Sequence, residues 1–407
     1  MREITRVKIA DYNYNLDQDR IAKFPLPHRD QSKLLVYKNG IIGHTFFSEL
    51  PNLLSSDSLL VLNNTKVVQA RLNFTKSTGA NIEIFILEPV SPFDYVQSFS
   101  STQICIWKCI VGNLKRWKGE MLQMNIGLTS SMLKAKRVKD LQEGVMVEFS
   151  WDNNDMNFAE VIEQCGKVPI PPYLNRNSDE SDKLNYQTVY AQPEGSVAAP
   201  TAGLHFTQEL LTKISNKGIE TDQITLHVGA GTFKPVKSDT IFEHEMHNEH
   251  FFIDINLISK IKKFQGRIVS VGTTTMRTLE SLYWLGVKLH LGLLDTNNPF
   301  LGQWEAYQLT KSISLTQSLD FLQKWLKSQN KAHLEASTQL CIVPGYDFKV
   351  VDTLITNYHQ PRSTLLLLVA AFIGDDWKRV YDYAYQNDFR FLSYGDSSVL
   401  CKKDSKV

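Results

Sequence analysis

The sequence predicts an α/β protein: a main domain built on a mixed sheet, with a small antiparallel β-barrel domain inserted into it. Two patterns support this fold class. From about residue 200 onward, strand and helix patterns alternate, which is typical of a sheet covered by helices. Between residues 72 and 163 the pattern changes to short β-like runs separated by turns, with little helical period. The main domain would comprise residues 1–71 and 164–407, with an extra segment at about 286–338.

Composition and charge narrow the class of protein. With 43% hydrophobic and 21% charged residues, the 407-residue chain resembles a soluble globular protein large enough for two or three domains. Its formal net charge of +1 gives no global attraction to nucleic acid, so an RNA partner would need a local basic patch. Five cysteines without a C-x-x-C pair indicate structural thiols in a reducing compartment. Since neither a signal peptide nor a membrane span is evident, we expect a cytoplasmic protein.

The elements of the main domain are predicted from apolar period, capping residues and glycines. An early strand, Leu59–Leu62, ends in Asn63-Asn64-Thr65, where polar groups can face a ligand. Later helices begin at capping side chains or turns and end at glycines or polar residues. The predicted helices are Thr207–Asn216, Asp254 to Gly266, Gly272 through Trp284, Ser318–Lys327 and the buried run Leu365–Ile373, and the intervening strands are Ile219–Val228 and Arg267–Val271.

The inserted domain is predicted from five β-like runs. Cys105 and Cys109 would share one face of the second run, which indicates a core position more than a metal site. Two basic clusters, Lys115–Lys118 and Lys134–Lys139, are either solvated faces or a grip on an RNA backbone, where an exposed Trp117 would stack on a base. The five runs are Ile82–Leu87, Ile104–Val111, Met121–Ile126, Val145–Phe149 and Phe158–Ile162.

Four loops of the main domain concentrate residues that can do chemistry. Each is punctuated by Gly or Pro and carries Thr, His, Asn or Arg: Val197–Phe206, Leu226–Phe233, Val271–Arg277 and Thr356–Thr364. Such loops on a rigid sheet indicate one site assembled from several segments. The turn at Gly272 places free backbone N–H groups at a helix start, where ligand oxygens can bind. Because the G-x-G-x-x-G spacing is absent, a dinucleotide site is not supported.

His205 and His227 are the candidate acid–base groups of these loops. Each stands beside Gly and Thr at the edge of a predicted element, and imidazole titrates near neutrality. Taken singly, either could be a half-buried histidine bonded to the backbone. Together with Asn357 and His359 in the fourth loop, they favour a site. Asp396 is an isolated candidate base.

Two further patterns each allow two interpretations. Arg277 and Glu280 could form an ion pair one helical turn apart, or Arg277 could bind a carboxylate or phosphate at the mouth of the turn before it. The three histidines of residues 244–250, in H-x-x-H-x-x-H spacing, could reach one metal ion. On a helix, however, the first and third would point apart. We therefore favour structural or substrate-contacting histidines and expect no metal.

These loops, in this order, closely resemble the S-adenosylmethionine:tRNA ribosyltransferase-isomerase family of the queuosine pathway. The resemblance spans nearly the whole chain, and its central run is V-A-A-P-T-A-G-L-H-F at 197–206. It implies an α/β domain with an inserted β-barrel, and S-adenosylmethionine (SAM) as ribosyl donor. Other matching runs are Leu59–Leu72, Tyr186–Tyr190, Thr225–Val236, His244–Glu249, Val271–Ser281, Pro344–Phe372 and Arg390–Asp396.

The reaction that the resemblance implies transfers and isomerises the ribosyl moiety of SAM onto 7-aminomethyl-7-deazaguanine at the wobble position of tRNA. Epoxyqueuosine-tRNA would form, with release of adenine and methionine. Apart from the resemblance, we expect a monomer. Because the sulfonium acidifies the C5′ hydrogens, a base must remove one; we expect His205 or His227, with Asp396 as a further candidate. Arg277 would take the SAM carboxylate. The expected SAM site comprises Thr201, Gly203, Gly229, Gly231, Thr232, Thr273, Thr274, Arg277, Asn357 and His359.

Two alternatives predict different products. A non-catalytic tRNA-binding paralogue would bind tRNA without releasing adenine. A SAM methyltransferase would form S-adenosylhomocysteine, but the chain lacks a glycine-rich first strand–helix turn.

Overall fold

A computed structural model describes residues 7–192, 194–229, 236, 238–309 and 313–402. In these ranges the strands are β1 (Lys33–Lys38), β2 (Ile41–Phe46), β3 (Leu59–Asn63), β4 (Lys66–Val67), β5 (Arg71–Thr75), β6 (Asn81–Ser91), β7 (Ile104–Gly112), β8 (Leu122–Asn125), β9 (Met132–Asp140), β10 (Val145–Trp151), β11 (Glu194–Ser196), β12 (Glu220–Leu226), β13 (Glu249–Asp254), β14 (Ile268–Val271), β15 (Phe300–Leu301), β16 (His333–Thr338), β17 (Thr353–Asn357) and β18 (Ser397–Cys401). The helices are α1 (Leu50–Leu53), α2 (Tyr95–Ser100), α3 (Phe158–Cys165), α4 (Asp182–Asn185), α5 (Gln208–Asn216), α6 (Ile255–Lys263), α7 (Thr273–His290), α8 (Glu305–Gln308), α9 (Leu315–Ser328), α10 (Thr364–Ile373) and α11 (Asp376–Gln386).

The main domain is built on a mixed sheet, as predicted. Its strand order in the described residues is β15-β16-β13-β12-β3-β14-β17-β18-β1-β2, and β12, β3, β14 and β17 run parallel. Alternate residues of β3 face opposite layers: Leu59 and Val61 join the core that contains α7, whereas Leu60 and Leu62 join the core that contains α5. The strand is buried along its whole length because helices cover both faces of the sheet.

The inserted β-barrel is also confirmed. Strands β5 to β10 form a six-stranded antiparallel sheet in the order β5-β6-β7-β10-β9-β8, which nearly closes on itself. Cys105 and Cys109 are buried in its core, as their spacing predicts. The strands run from Arg71 to Trp151, and α3 packs its Phe158 ring on Trp107 at a centroid distance of 5.6 Å. The predicted boundaries at residues 72 and 163 fall next to the start of β5 and inside α3.

Two predictions about the inserted domain are wrong. Phe158–Ile162 is not a strand but the start of α3, because Asn157 and Glu160 form a reciprocal capping box that fixes a helix N-terminus. Trp117 is fully buried and its Nε1 donates to the Glu120 carbonyl at 2.8 Å, so this ring is not available to stack on a base. The basic cluster Lys134–Lys139 lies on strand β9.

The helices predicted in the main domain are present. Thr207 caps α5, Asp254 caps α6, and Ser363 caps α10, each through its side chain. Helix α7 continues past Trp284 to His290. Helix α9 begins earlier than predicted, because Ser314 and Gln317 form a capping box. No helix in the described ranges is long and apolar enough to cross a bilayer.

The last strand of the chain lies inside the main sheet. Strand β18 pairs antiparallel with β17 on one side and parallel with β1 on the other. Within the described residues, the hairpin β1–β2 therefore joins the sheet through β18 alone. Just before this strand, Asp396 accepts a hydrogen bond from the backbone N–H of Lys33 at 3.0 Å, which fixes the register of β1 against the C-terminal segment.

The segment at 286–338 packs on the main domain through a close helix contact. Helix α9 crosses α7 at Gly286, where an added Cβ would overlap the backbone and side chain of Ser318. The Ser318 hydroxyl donates to the Tyr283 carbonyl at 2.6 Å across the same contact. Gly286 is thus required for the approach of the two helices.

We predict that Gly286→Ala lowers the free energy of unfolding by about 1–3 kcal/mol, because overpacking a tight contact forces the helices apart. Urea denaturation followed by circular dichroism measures the change. Gly43→Ala is the matched control, since no atom lies within 4 Å of a Cβ at Gly43, and it should change stability by less than about 0.5 kcal/mol. Equal stability of G286A and the wild type would contradict the prediction.

Candidate active site

A cavity opens at the carboxyl ends of the parallel strands β12, β14 and β17. It contains about 1310 Å³ of empty space, including part of its open mouth. All four predicted loops contribute to its lining, through Ala198–Ala202, Val228, Gly272–Thr274 with Arg277, and Thr356–Leu365. The loops converge because each follows a strand end or lies beside one, at the edge of a sheet where ligands commonly bind.

The start of α7 forms one wall of the cavity. Gly272 adopts φ +92°, and its N–H donates to Ile355 of the neighbouring strand at 2.8 Å. This backbone conformation favours glycine and turns the chain directly from β14 into the helix. Thr273 and Thr274 therefore face the cavity from the first turn of the helix, where the positive end of the helix dipole favours an anionic ligand group.

Arg277 and Glu249 form a buried ion pair in the cavity wall. The guanidinium of Arg277 contacts the Glu249 carboxylate, and their side chains are only 10% and 4% exposed. Burial lowers the pKa of Arg277 to about 10. Glu249 is the first residue of β13 and lies on the same face as the core residues Phe251 and Ile253, so strand alternation aims it at α7.

The predicted ion pair between Arg277 and Glu280 is not formed. The Glu280 carboxylate turns to the other side of α7, where it accepts hydrogen bonds from the N–H groups of Lys349, Val350 and Val351 and from the Tyr346 hydroxyl. The second interpretation, in which Arg277 binds an anion at the mouth of the turn, agrees with its place in the cavity wall.

The fourth loop places Asn357 and His359 in the lining. Asn357 donates through Nδ2 to the carbonyls of Leu392 and Ser393 at 3.0 and 3.1 Å. The Nε2 atom of His359 lies 3.0 Å from the Thr356 hydroxyl, and burial lowers the pKa of this imidazole to about 3. These contacts orient the loop, and burial keeps His359 neutral.

His205 lies behind the cavity lining. Its Nδ1 is 2.8 Å from the Ser32 hydroxyl, and its ring stacks on Phe47 at 4.9 Å between centroids. Burial lowers its pKa to about 4, and the adjacent Asn357 side chain opposes this shift. The imidazole of His205 thus does not line the cavity itself but interacts with Asn357, which does.

His227 lies on the side of its strand that faces the barrel. Its Nδ1 is 3.0 Å from the Thr65 hydroxyl, and its ring stacks on Tyr95 of α2 at 5.0 Å between centroids. Burial lowers its pKa to about 4. Gly195 packs so closely on this ring that an added Cβ would overlap it. The residue after His227, Val228, lines the cavity, whereas His227 itself does not.

Of five further predicted residues, three do not line the cavity and two lie outside the described residues. Asp396 accepts from the N–H groups of Lys33 and Arg390, at 3.0 and 2.8 Å, and so holds two chain segments together. A Cβ at Gly203 would overlap the Tyr190 hydroxyl, which indicates that this glycine serves packing. Gly231 and Thr232 lie outside the described residues, and Gly229 is described but is not part of the lining.

The three histidines of residues 244–250 do not converge. His244 and His247 line the cavity, whereas His250 lies on the opposite face of β13 and contacts Phe93 and Tyr95 of the barrel. Among the described residues, no group of three or more His, Cys, Asp or Glu side chains is arranged to hold a metal ion.

Sequence inspection missed three lining residues with polar groups in the cavity wall: Glu249, Tyr186 and Tyr358. The hydroxyls of the two tyrosines are buried and make no hydrogen bond of normal geometry to a described residue. Because buried polar atoms are almost always paired, such groups point to a polar ligand. The alternation of β13 was a usable signal for Glu249, Tyr358 lies inside the fourth predicted loop, and Tyr186 opens one of the runs that carry the family resemblance.

Comparison with known proteins decides the family. A family model described as queuosine biosynthesis protein matches residues 9–400. This chain belongs to the queuosine biosynthesis protein family.

Relatives in this family align over their full length. An S-adenosylmethionine:tRNA ribosyltransferase-isomerase of Trichlorobacter lovleyi is 35% identical over 402 residues, covering 96% of this chain and 99% of that protein. The enzyme of the same name from a Sulfurihydrogenibium species is 37% identical, covering 97% and 100%. A crystal structure of S-adenosylmethionine tRNA ribosyltransferase from Thermotoga maritima is 27% identical, covering 96% of this chain and 99% of that one, with a TM-score of 0.45. The family assignment rests on the sequence matches.

We predict that His205 makes the stability of this family member depend on pH. Burial lowers its pKa from 6.5 to about 4, so the unfolded chain takes up the proton first as the pH falls from 6.5 towards 4, and folding is destabilised across that window. At pH 5 this difference in pKa lowers the free energy of unfolding by about 2 kcal/mol.

His205→Gln should therefore reduce the loss of unfolding free energy between pH 7 and pH 5 by about 2 kcal/mol relative to wild type, measured by urea denaturation at both pH values. His28→Gln, at an exposed position, is the control and should leave that loss unchanged. A wild-type pH dependence in H205Q would refute the prediction.

Proposed function

We propose that the cavity at the carboxyl ends of β12, β14 and β17 is the active site for the family's reaction. The chain is an S-adenosylmethionine:tRNA ribosyltransferase-isomerase of queuosine biosynthesis, as its full-length similarity to enzymes of that name indicates. The observation that supports the location is the convergence of all four loops on one cavity with a buried, charged wall.

In our proposal SAM binds with its amino-acid end at α7. The Arg277 guanidinium takes the SAM carboxylate, and the first-turn N–H groups at Thr273 and Thr274 add hydrogen bonds at the positive end of the helix. A fork of five N–H donors can serve Glu249 and a second carboxylate together. This arrangement leaves the buried hydroxyls of Tyr186 and Tyr358 for the adenosyl group.

In this proposal, other predicted site residues hold the loops of the cavity in place. Asn357 and His359 fix the fourth loop against the nucleoside, with Thr201 across the cavity. His205 orients Asn357 from behind, and His227 holds the loop at Val228 against the barrel. That Gly229, Gly231 and Thr232 bind SAM stays a prediction from the sequence. No step in this scheme calls for a metal ion.

The finer reaction that we propose is transfer of the ribosyl moiety of SAM to 7-aminomethyl-7-deazaguanine at the wobble position of tRNA. The acceptor amine forms the new bond, and adenine and methionine leave, which gives epoxyqueuosine-tRNA. The chain's task is to exclude water, hold the sulfonium end rigidly and place a base at C5′.

We place the tRNA backbone on the barrel. Arg137 donates to the Trp117 carbonyl at 2.9 Å, which brings the two basic clusters of the inserted domain side by side. The exposed cations of this patch are Lys115, Arg116, Lys118, Lys136 and Lys139. A local patch of this kind can bind phosphates although the whole chain is nearly neutral. A cytoplasmic monomer remains our expectation.

We predict that incubation with SAM and tRNA carrying the precursor base releases adenine and methionine in equal amounts. Mass spectrometry of the small molecules and of digested tRNA measures the products. S-Adenosylhomocysteine as product would indicate a methyltransferase instead, and tRNA binding without adenine release would indicate a non-catalytic paralogue. Arg277→Leu should abolish release, because it removes the carboxylate contact.

We predict that Lys136→Glu with Lys139→Glu weakens tRNA binding by at least about tenfold and lowers the salt dependence of log Kd by about 1–2. The physical reason is the loss of phosphate contacts on the barrel. Fluorescence anisotropy over a salt series measures both. Lys324→Glu with Lys327→Glu, two exposed lysines on α9, is the charge-matched control. Equal weakening by both pairs would show that the patch is not specific.

A further inference from the structure

Glu249 is the one acidic side chain that the described residues contribute to the cavity lining. Its carboxylate lies in a wall that is otherwise apolar, neutral or cationic. The ligand expected there carries a positive sulfonium with acidified hydrogens on the neighbouring C5′. We propose that Glu249 is the catalytic base that removes the C5′ proton of SAM, an inference that rests on the function proposed above.

The fold holds this carboxylate in a fixed direction. Glu249 opens strand β13, which pairs with β16 at Thr338, and its side chain shares the inward face with Phe251 and Ile253. The contact with Arg277 then fixes the carboxylate against the first turns of α7. A base with a single rigid geometry is what proton abstraction from carbon requires.

Arg277 connects the base to the substrate. In the described residues its partner is Glu249, through one terminal nitrogen, and a guanidinium has further N–H donors for a second carboxylate. The SAM carboxylate would bind these donors. Three carbons and the sulfur separate that carboxylate from C5′. Glu249 and the SAM carboxylate would then share one guanidinium. Because the amino-acid chain of SAM is short, folding it back would bring C5′ to the side of the cavity where Glu249 lies.

Charge favours Glu249 over the histidines of the wall. Before proton transfer the sulfonium is positive and the carboxylate is negative; after it, neither group has a net charge. A buried site favours this change, because charges are costly away from water. Transfer to His244 or His359 would create an imidazolium in a cavity wall that already carries Arg277 and Arg362. Burial lowers the pKa of both imidazoles, which makes them weaker bases. His205, His227 and Asp396 do not line the cavity.

The proposed step balances within these groups. A carboxylate oxygen of Glu249 forms an O–H bond with the C5′ proton, and the electron pair of the broken C–H bond stays on C5′ as the ylide of the sulfonium. Glu249 becomes a neutral carboxylic acid, and no oxidant, reductant or metal is consumed. The protonated acid then lies beside the cavity, where it can return the proton to a leaving group.

The test uses the full-length protein, tRNA carrying the precursor base, and SAM with tritium at C5′. Release of tritium to water is followed under single turnover, and the Kd of SAM is measured separately by calorimetry. Glu249→Gln keeps an oxygen that Arg277 can contact but cannot accept the proton. We expect its tritium release to fall by about 10²–10⁴-fold while the Kd of SAM stays within about threefold.

Three further variants separate a base from a structural group. Glu249→Asp retains a carboxylate with shorter reach, so its rate of tritium release should lie between those of the wild type and E249Q. Formate should restore tritium release to Glu249→Ala, because formate can replace a missing base. If Glu249 were only structural, formate would not restore the rate. Glu245→Gln, an exposed neighbour on the same segment, should equal the wild type. Tritium release by E249Q above about one-tenth of the wild-type rate would overturn the proposal, as would a slow E249Q with a large loss of SAM affinity and no formate rescue of E249A.

The wild-type reaction distinguishes the two levels of proposal. If the wild type releases no adenine and methionine, the proposed function itself fails. If the wild type is active and E249Q is equally active, only the role of Glu249 is wrong.

Discussion

The buried ion pair between Arg277 and Glu249 is the constraint on which the site depends. Two charges removed from water are expensive unless they meet each other in good geometry, so strand β13 and helix α7 must keep their mutual position. The same helix begins at Gly272, beside the loop after β17. An interaction between two side chains thus fixes the distance between the cationic wall and the rest of the cavity.

Much of the fold was predictable because its signals are local. The buried helix α10 has its serine cap and glycine end directly in the sequence, and the change from helical to β-like pattern located the inserted barrel. The failure at Phe158–Ile162 has a physical reason. A short apolar run fits either a strand or one face of a helix, and the capping box of Asn157 with Glu160 was the deciding signal.

The site was predictable as a set of loops but not as a set of side chains. Loops that follow parallel strands must meet at one edge of the sheet, and these do. Which way each side chain turns depends on partners far along the chain. His205 turns to Ser32 and Asp396 to Lys33, so both lie near the site without lining it. Glu249 was overlooked because its partner, Arg277, follows on another element.

The position of β18 has a consequence for how this chain is made. Strand β18 is synthesised after all the other described strands, yet it separates β17 from β1 in the completed sheet. The barrel, whose strands lie between residues 71 and 151, can close on itself while synthesis continues. The hairpin β1–β2 must wait, with one edge of β1 unpaired, until β18 has been synthesised. A hairpin formed early in synthesis is therefore joined to the sheet late, and a chain that stopped before β18 would leave an open strand edge prone to self-association.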